Sequence, residues 1–167
     1  MDAPSWLDAG PTERTRDGAC TPKWLADALG LFTYDPCSNV RSHINAVVRF
    51  DGSPGKDGLA RRVYDDKDTF FVNPPYSRGQ VAKWVEAFKR RNTVFLLRWD
   101  PSTAWWRDLI TWCDLVWFAS KRIEFEPPPG VTFSSNPYPH ALYLTFDAAE
   151  RLRHSRLTSL GTFMRPV

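Results

Sequence analysis

Four consecutive residues, Asn73-Pro74-Pro75-Tyr76, have the side chains and the spacing for chemistry on a planar amine. They follow the apolar run Phe70-Phe71-Val72, which predicts a short buried strand that the two prolines end. Neither proline has a backbone N–H to donate, and each fixes its own φ, so the corner is stiff. The Asn73 side-chain oxygen, the Pro74 carbonyl and the Tyr76 ring then face outward together. Two oxygens can accept the two N–H bonds of an exocyclic amine while the ring stacks on the base, so the sequence predicts a site for such a base.

Polar residues follow the preceding predicted strand as well. Residues 31–34 read as a strand that delivers Asp35-Pro36-Cys37-Ser38-Asn39 at its carboxyl end, which is where open α/β sheets bind ligands. Before that strand, Thr21 and Pro22 begin a predicted helix, with the Thr21 hydroxyl as its cap and Pro22 in its first turn. Gly30 is expected to end this helix.

Together these segments resemble the phage-type, Dam-like family of DNA N-6-adenine methyltransferases, which use S-adenosylmethionine. The resemblance covers about residues 21–146. The segments that carry it are Thr21-Pro22, Asp35-Pro36-Cys37-Ser38-Asn39, Asp57-Gly58-Leu59, Asn73-Pro74-Pro75-Tyr76-Ser77 and Arg122-Ile123-Glu124-Phe125. The glycine-rich loop of many methyltransferases is missing, as it is in this family.

The resemblance implies a role for each segment. Asn73, Pro74, Pro75 and Tyr76 would be catalytic. The cofactor would be bound by Thr21, Pro22, Asp35, Pro36, Cys37, Ser38, Asn39, Asp57 and Leu59. The target base would be bound by Ser77, Trp106 and Arg122. Trp106 is added from its own position, beside the apolar stripe of its predicted helix, and core packing is the alternative for it. The resemblance implies that the Asp57 carboxylate accepts from the cofactor's adenine amine. The alternative is an ordinary turn carboxylate.

Strands alternate with helices along most of the chain, which predicts an α/β fold with a mostly parallel sheet covered by helices on both faces. The last two predicted strands, 115–119 and 141–146, have no helix between them and should pair antiparallel. This is the Rossmann-like methyltransferase architecture that the resemblance also implies. We divide the chain into an N-terminal arm (1–20), a methyltransferase domain (21–147) and a C-terminal helix and tail (148–167), with a proline-rich loop at 126–139 that could cover the substrate.

Composition limits the other possibilities. The 167 residues suffice for one domain, and the net charge of +3 is compatible with a polyanionic partner, here double-stranded DNA. Cys20, Cys37 and Cys113 lack metal-ligand spacing, so we expect reduced thiols and no metal site. No apolar run approaches the roughly 20 residues that span a bilayer, so no membrane is expected. The family resemblance implies the cytoplasm of a bacterial cell or phage-infected host, and leaves monomer or homodimer open.

The tetrapeptide alone leaves other substrates open. Enzymes that methylate RNA bases or a glutamine amide of peptide-release factors carry the same four residues, and cytosine N-4 methylation uses a related motif. An inactive nucleic-acid-binding or antirestriction module is an answer of a different class. The segments at 35–39 and 57–59, with the short chain, favour DNA adenine. The target sequence cannot be predicted.

Overall fold

The structure, a computed structural model, describes residues 16–77, 79–133 and 138–167. Seven strands form one sheet: β1 (Leu31–Asp35), β2 (Asn45–Arg49), β3 (Thr69–Val72), β4 (Asn92–Arg98), β5 (Cys113–Ala119), β6 (His140–Thr145) and β7 (Gly161–Met164). Among the described residues, five α-helices accompany them: α1 (Lys23–Leu29), α2 (Gln80–Phe88), α3 (Ala104–Ile110), α4 (Asp147–Leu152) and α5 (Leu157–Leu160). A short 3-10 helix at Arg16–Gly18 precedes α1.

The order of strands in the sheet is β2-β1-β3-β4-β6-β5-β7. The first four in this order are parallel, whereas β6 is antiparallel to both β4 and β5, and β7 is antiparallel to β5. The predicted antiparallel pairing of the last two strands is therefore confirmed. The strand β7 within the predicted tail was not expected, because its four residues become strand-like only through pairing with β5.

Buried side chains form two clusters that use alternate strand residues. Val94 and Leu96 belong to the cluster that contains the buried residues of α1, α4 and α5, whereas Phe95 and Leu97 belong to the cluster of α2 and α3. Successive strand residues face opposite sides of a sheet, which explains the division. Burying each such side chain contributes about 1.5–3 kcal/mol, so β4 anchors the sheet from both sides.

The beginning of α1 differs from the prediction. Pro22 occupies the cap position, and no side chain of its own segment caps the helix. Instead the Lys23 N–H donates to the Glu126 Oε1 atom at 3.0 Å, from a residue far along the chain. The predicted cap at Thr21 is wrong because its hydroxyl is engaged elsewhere, by Asn73. Gly30 ends the helix as predicted, at φ 74°, where a side chain would be strained.

Candidate active site

The predicted corner follows β3 directly. Val72 is fully buried, Asn73 is half-buried and Pro74 is buried. The Asn73 Nδ2 atom donates to Thr21 Oγ1 at 3.2 Å. Since this bond uses the amide nitrogen, the side-chain oxygen of Asn73 is the atom left for a ligand to donate to. Thr21 thus orients the amide that the sequence predicts to be catalytic.

Tyr76 is held in place from three directions. Its backbone N–H donates to Asp17 Oδ1 at 2.8 Å, and its hydroxyl accepts from the Arg98 backbone N–H at 2.9 Å. The Arg98 guanidinium lies 4.2 Å from the centroid of the Tyr76 ring, and the His140 ring meets it edge-on at 5.8 Å. Burial raises the pKa of Tyr76 far above its usual value, so the phenol stays neutral. Tyr76 therefore presents a fixed, uncharged ring.

A cavity of about 290 Å³ opens beside this corner and is lined in part by Asn73, Pro74 and Tyr76. Other parts of its wall are Asp17, Arg98, Glu124, Phe125, Phe133 and His140. Its size is at the lower end of the range for small-molecule sites. Burial lowers the pKa of His140 to about 4, so this imidazole is neutral at pH 7. The cavity therefore combines oxygen acceptors, carboxylates and aromatic rings within one concave surface.

The loop that follows β1 packs against the same corner. Burial and the charge of the neighbouring Asp35 raise the pKa of the Cys37 thiol, whereas a hydrogen bond with the Asn73 backbone lowers it. Cys37 therefore lies between Asp35 and Asn73. Asn39 Oδ1 accepts from the Arg41 N–H at 2.9 Å and from the Cys20 thiol at 3.4 Å. The structure thus brings the loop 35–39 and the segment before α1 together at Asn73.

The turn at 57–59 reaches this group through close backbone packing. A Cβ atom added to Gly58 would lie 1.6 Å from the carbonyl oxygen of Pro36, which is far inside van der Waals contact. The side chain of Asp57 accepts from the Leu59 N–H at 2.9 Å, within its own turn. Gly58 therefore lets the two predicted cofactor loops touch, while Asp57 uses one of its oxygens as a turn carboxylate.

Asp35 is the last residue of β1 and is only 2% exposed. Ser42 donates to its Oδ2 atom at 3.2 Å. Burial raises the pKa of Asp35 to about 6, although hydrogen bonds from Ser38 and Ser42 and the charge of Arg49 oppose the shift. Asp35 is not part of the cavity wall described above, so a ligand that reaches it must come from the side of the β1 loop.

The raised pKa of Asp35 predicts a pH-dependent stability. A carboxyl group with a higher pKa in the folded state stabilises the fold below its unfolded pKa, and this contribution is lost as the pH rises through about 6. The shift corresponds to roughly 3 kcal/mol. Between about pH 4 and pH 8 the wild type should therefore lose about that much free energy of unfolding relative to Asp35→Asn. Urea unfolding at the two pH values measures it.

Asp51→Asn is the matched control for Asp35→Asn. A hydrogen bond from Ser53 lowers the pKa of Asp51, so this carboxylate stabilises the fold above its unfolded pKa. That contribution is already largely present at pH 4, so Asp51→Asn should be less stable than the wild type by a nearly constant amount between about pH 4 and pH 8. Equal pH profiles for Asp35→Asn and the wild type would contradict the buried, raised carboxyl.

The predicted base-binding residues lie apart from one another. Trp106 donates its indole N–H to the Tyr143 hydroxyl at 2.8 Å and packs edge-on against Trp99, outside the described cavity wall. Ser77 is exposed and lines a smaller depression of about 180 Å³ on the other side of Tyr76 and Arg98. Arg122 is exposed near His140, whose pKa its charge helps to lower. Their roles stay predictions.

Sequence reasoning did not assign Asp17, Arg98 or His140 to the site. Arg98 stands out in the sequence as the one charged residue at the otherwise apolar end of β4, but this position alone gives it no role. His140 is its register partner across the antiparallel pair, which requires knowledge of the sheet order. Asp17 belongs to the predicted N-terminal arm (1–20), and nothing in the sequence connects it to Tyr76.

Comparison with protein families decides the assignment that this geometry suggests. The sequence model of the family described as DNA N-6-adenine-methyltransferase (Dam) matches residues 11–149, which is most of the chain. The chain belongs to the Dam family. The match begins before the 3-10 helix that carries Asp17 and ends within α4. The matched range of this Dam-family chain therefore includes every residue of the cavity wall named above. Neither the comparison with curated proteins nor that with solved structures gives a match.

The described residues of this Dam-family chain contain no candidate for a membrane span and no candidate metal site. None of the helices in the described ranges is long and apolar enough to cross a membrane. Among the same residues, no group of three or more His, Cys, Asp or Glu side chains is arranged to hold a metal ion.

Proposed function

We propose that this Dam-family protein is a site-specific DNA methyltransferase that transfers a methyl group from S-adenosylmethionine to the N-6 amine of adenine. The target base would be flipped out of double-stranded DNA into the cavity beside Asn73, Pro74, Pro75 and Tyr76. The observation that carries the proposal is Asn73, a residue of the cavity wall whose amide nitrogen donates a hydrogen bond to Thr21, which leaves the amide oxygen to accept from a ligand. Membership of the family supports the reaction and the base.

The wall of the cavity suits the cationic methyl-donor end of the cofactor, which must meet the target amine there, while the residues assigned to the rest of the cofactor lie outside this wall. Asp17 and Glu124 supply carboxylates for an ammonium or sulfonium charge, and Phe125 and Phe133 supply apolar faces. The loops at 35–39 and 57–59 meet next to Asn73 through the contact of Gly58 with Pro36. We therefore assign the cofactor to Thr21, Pro22, Asp35, Pro36, Cys37, Ser38, Asn39, Asp57 and Leu59, as the family resemblance implies. When bound, S-adenosylmethionine supplies an activated methyl group.

The protein's own contribution to the reaction is orientation. The adenine amine is a weak nucleophile because its lone pair is delocalised into the ring. Hydrogen bonds from its two N–H groups to the Asn73 oxygen and the Pro74 carbonyl favour a tetrahedral nitrogen with a localised lone pair. Orientation of this kind contributes up to ~7–11 kcal/mol in favourable cases. Asn73 is uncharged and cannot act as a strong base, so the amine proton leaves to water after transfer.

The rest of the assignment follows the family. We propose a Rossmann-like methyltransferase sheet with helices on both faces, to which the two buried clusters correspond. Ser77, Trp106 and Arg122 would contact the target base or its flanking nucleotides. Because the substrate is DNA, we expect the enzyme to act in the cytoplasm of a bacterial cell or phage-infected host.

Methyl transfer from isotope-labelled S-adenosylmethionine to DNA, RNA and protein in parallel tests the proposal. We expect label only in DNA, and digestion of that DNA to nucleosides should give N-6-methyl-2′-deoxyadenosine. Label in RNA or in a glutamine amide would contradict the substrate, and N-4-methylcytosine would contradict the base. Binding to DNA without any transfer would indicate an inactive module.

Tyr76 offers a test of base stacking. Tyr76→Ala should lower the rate or raise the KM for DNA by roughly 10- to 100-fold, because stacking of a base on an aromatic ring contributes ~1–3 kcal/mol. Tyr76→Phe keeps the ring and should lose much less activity. It leaves the Arg98 N–H without its acceptor, so its thermal stability should fall by about 1–3 kcal/mol. A Phe variant as inactive as the Ala variant would show that stacking is not the main contribution.

A further inference from the structure

The guanidinium of Arg98 lies between two aromatic rings. Its carbon atom is 4.2 Å from the centroid of the Tyr76 ring and 4.0 Å from that of the Tyr138 ring. Arg98 is the last residue of β4, where its backbone is fixed by pairing with His140 and by the Tyr76 hydroxyl. With both rings this close to the guanidinium carbon, the N–H groups around its edge are the part suited to a ligand.

That edge has no protein partner within the described ranges. No hydrogen bond and no ion pair between described residues uses the Arg98 side chain, and its Nε atom is buried without an acceptor. Asp17 and Glu124 line the same cavity, but neither forms an ion pair with it. Arg98 as a whole is half-buried, but leaving its buried Nε donor unpaired is costly because the group is charged. An arginine held in this way is prepared for an acceptor that arrives from outside the protein.

The position of Arg98 narrows the choice of acceptor. It belongs to β4, two strands away from β1, whose loop is assigned to the cofactor, and β3 with Asn73 stands between them. A base that stacks on Tyr76 must use the face opposite the guanidinium, so the base edge and the Arg98 donors are separated by the ring. A negatively charged oxygen of the chain that carries the base is the acceptor that fits a planar, forked donor.

We propose that Arg98, held between Tyr76 and Tyr138, binds a backbone phosphate of the DNA next to the flipped base. The inference rests on the proposed function for the identity of the polyanion, but its test measures binding and needs no methyl transfer. Arg98 would then couple the position of the strand to the ring of Tyr76, since the same side chain contacts both.

The test compares Arg98→Gln and Arg98→Lys with the wild type in binding a fluorescein-labelled duplex that has one adenine opposite an abasic site, which lowers the cost of flipping. Fluorescence anisotropy over about 50–200 mM salt gives the slope of log K against log salt. The loss of one phosphate contact should reduce the magnitude of this slope by about 0.9 in Arg98→Gln and weaken binding about tenfold at the low-salt end. Arg98→Lys keeps the charge and should keep the slope, with a partial loss of affinity.

Arg90→Gln is the matched control, because this guanidinium also stacks on an aromatic ring, 5.1 Å from the centroid of Trp112, and does not line the cavity. Its slope should equal that of the wild type. Thermal melting should show Arg98→Gln folded, since the side chain makes no hydrogen bond or ion pair among the described residues that the substitution could break.

Three results would overturn the proposal. The first is an unchanged slope in Arg98→Gln, or a loss that Arg90→Gln shares. The second is equal behaviour of the Lys and Gln variants, which would indicate packing and not charge. The third is a loss of affinity for S-adenosylmethionine as large as that for DNA, which would assign the guanidinium to the cofactor carboxylate. Arg98-dependent DNA binding without methyl transfer would support this inference while contradicting the proposed function.

Discussion

Asn73→Ala is expected to lower turnover by at least about a thousandfold while the affinity for S-adenosylmethionine stays close to that of the wild type. The substitution removes one of two oxygens proposed to orient the target amine, and loss of a single such group in a preorganised site costs about 10²- to 10³-fold. Misorientation of the remaining contact adds to the loss. Single-turnover transfer to DNA gives the rate, and calorimetry gives the cofactor affinity.

Thr21 provides the graded control for this result. Thr21→Val keeps the shape of the side chain but removes the hydroxyl that accepts from Asn73 Nδ2 at 3.2 Å. The amide is then free to rotate, so we expect an intermediate loss of rate of about tenfold, without loss of folding. If Asn73→Ala lost cofactor affinity in the same proportion as rate, Asn73 would be a cofactor ligand and the mechanism proposed above would be wrong.

Gly58→Ala is expected to have the largest effect on folding. The added Cβ would lie 1.6 Å from the Pro36 oxygen and 2.6 Å from its carbonyl carbon, and the far end of the Trp84 ring is 3.0 Å away. Backbone atoms cannot rotate away, so the two loops must separate. We expect a loss of about 3 kcal/mol or more, which lowers the melting temperature by roughly 6–12 °C in a domain of this size. Scanning calorimetry measures the shift, and titration with S-adenosylmethionine should show weakened binding.

Gly55→Ala separates this steric effect from ordinary glycine chemistry. Gly55 has φ 81°, where an L-residue is strained, but a Cβ there would meet nothing within 4 Å. It should therefore cost only about 1 kcal/mol and leave cofactor binding unchanged. Gly58 is the reverse, with an ordinary φ and a severe overlap. If the two alanine variants were equally stable, the close contact of the two loops would be wrong.

Local patterns were sufficient to predict the strand before Asn73, the end of α1 at Gly30 and the antiparallel pair of β5 and β6. Each of these depends on residues close in sequence: an apolar run before prolines, a glycine after a helix, or two strands without a helix between them. The family resemblance added the loops at 35–39 and 57–59, whose contact at Gly58 no composition or periodicity could reveal.

Contacts between distant segments could not be predicted in the same way. Thr21 has a sequence context that favours helix capping, but its hydroxyl is taken by Asn73, and Glu126 binds the Lys23 N–H instead. Asp17 reaches Tyr76 across 59 positions of the chain. In each case a polar group found its partner through the tertiary fold, and a local rule had no access to that competition.

The cavity lies between the parallel half of the sheet, up to β4, and the antiparallel half that begins with β6. Asn73 and the loops assigned to the cofactor belong to the parallel half, whereas Glu124 and Phe125 follow β5 and His140 begins β6, in the antiparallel half. In the proposed function the loops at 35–39 and 57–59 therefore belong to one scaffold and the wall around Glu124 and His140 belongs to another, so the second can change in sequence while those two loops are kept. Chimeras between family members that are joined just after Arg98 would be the natural starting point for engineering new target preferences.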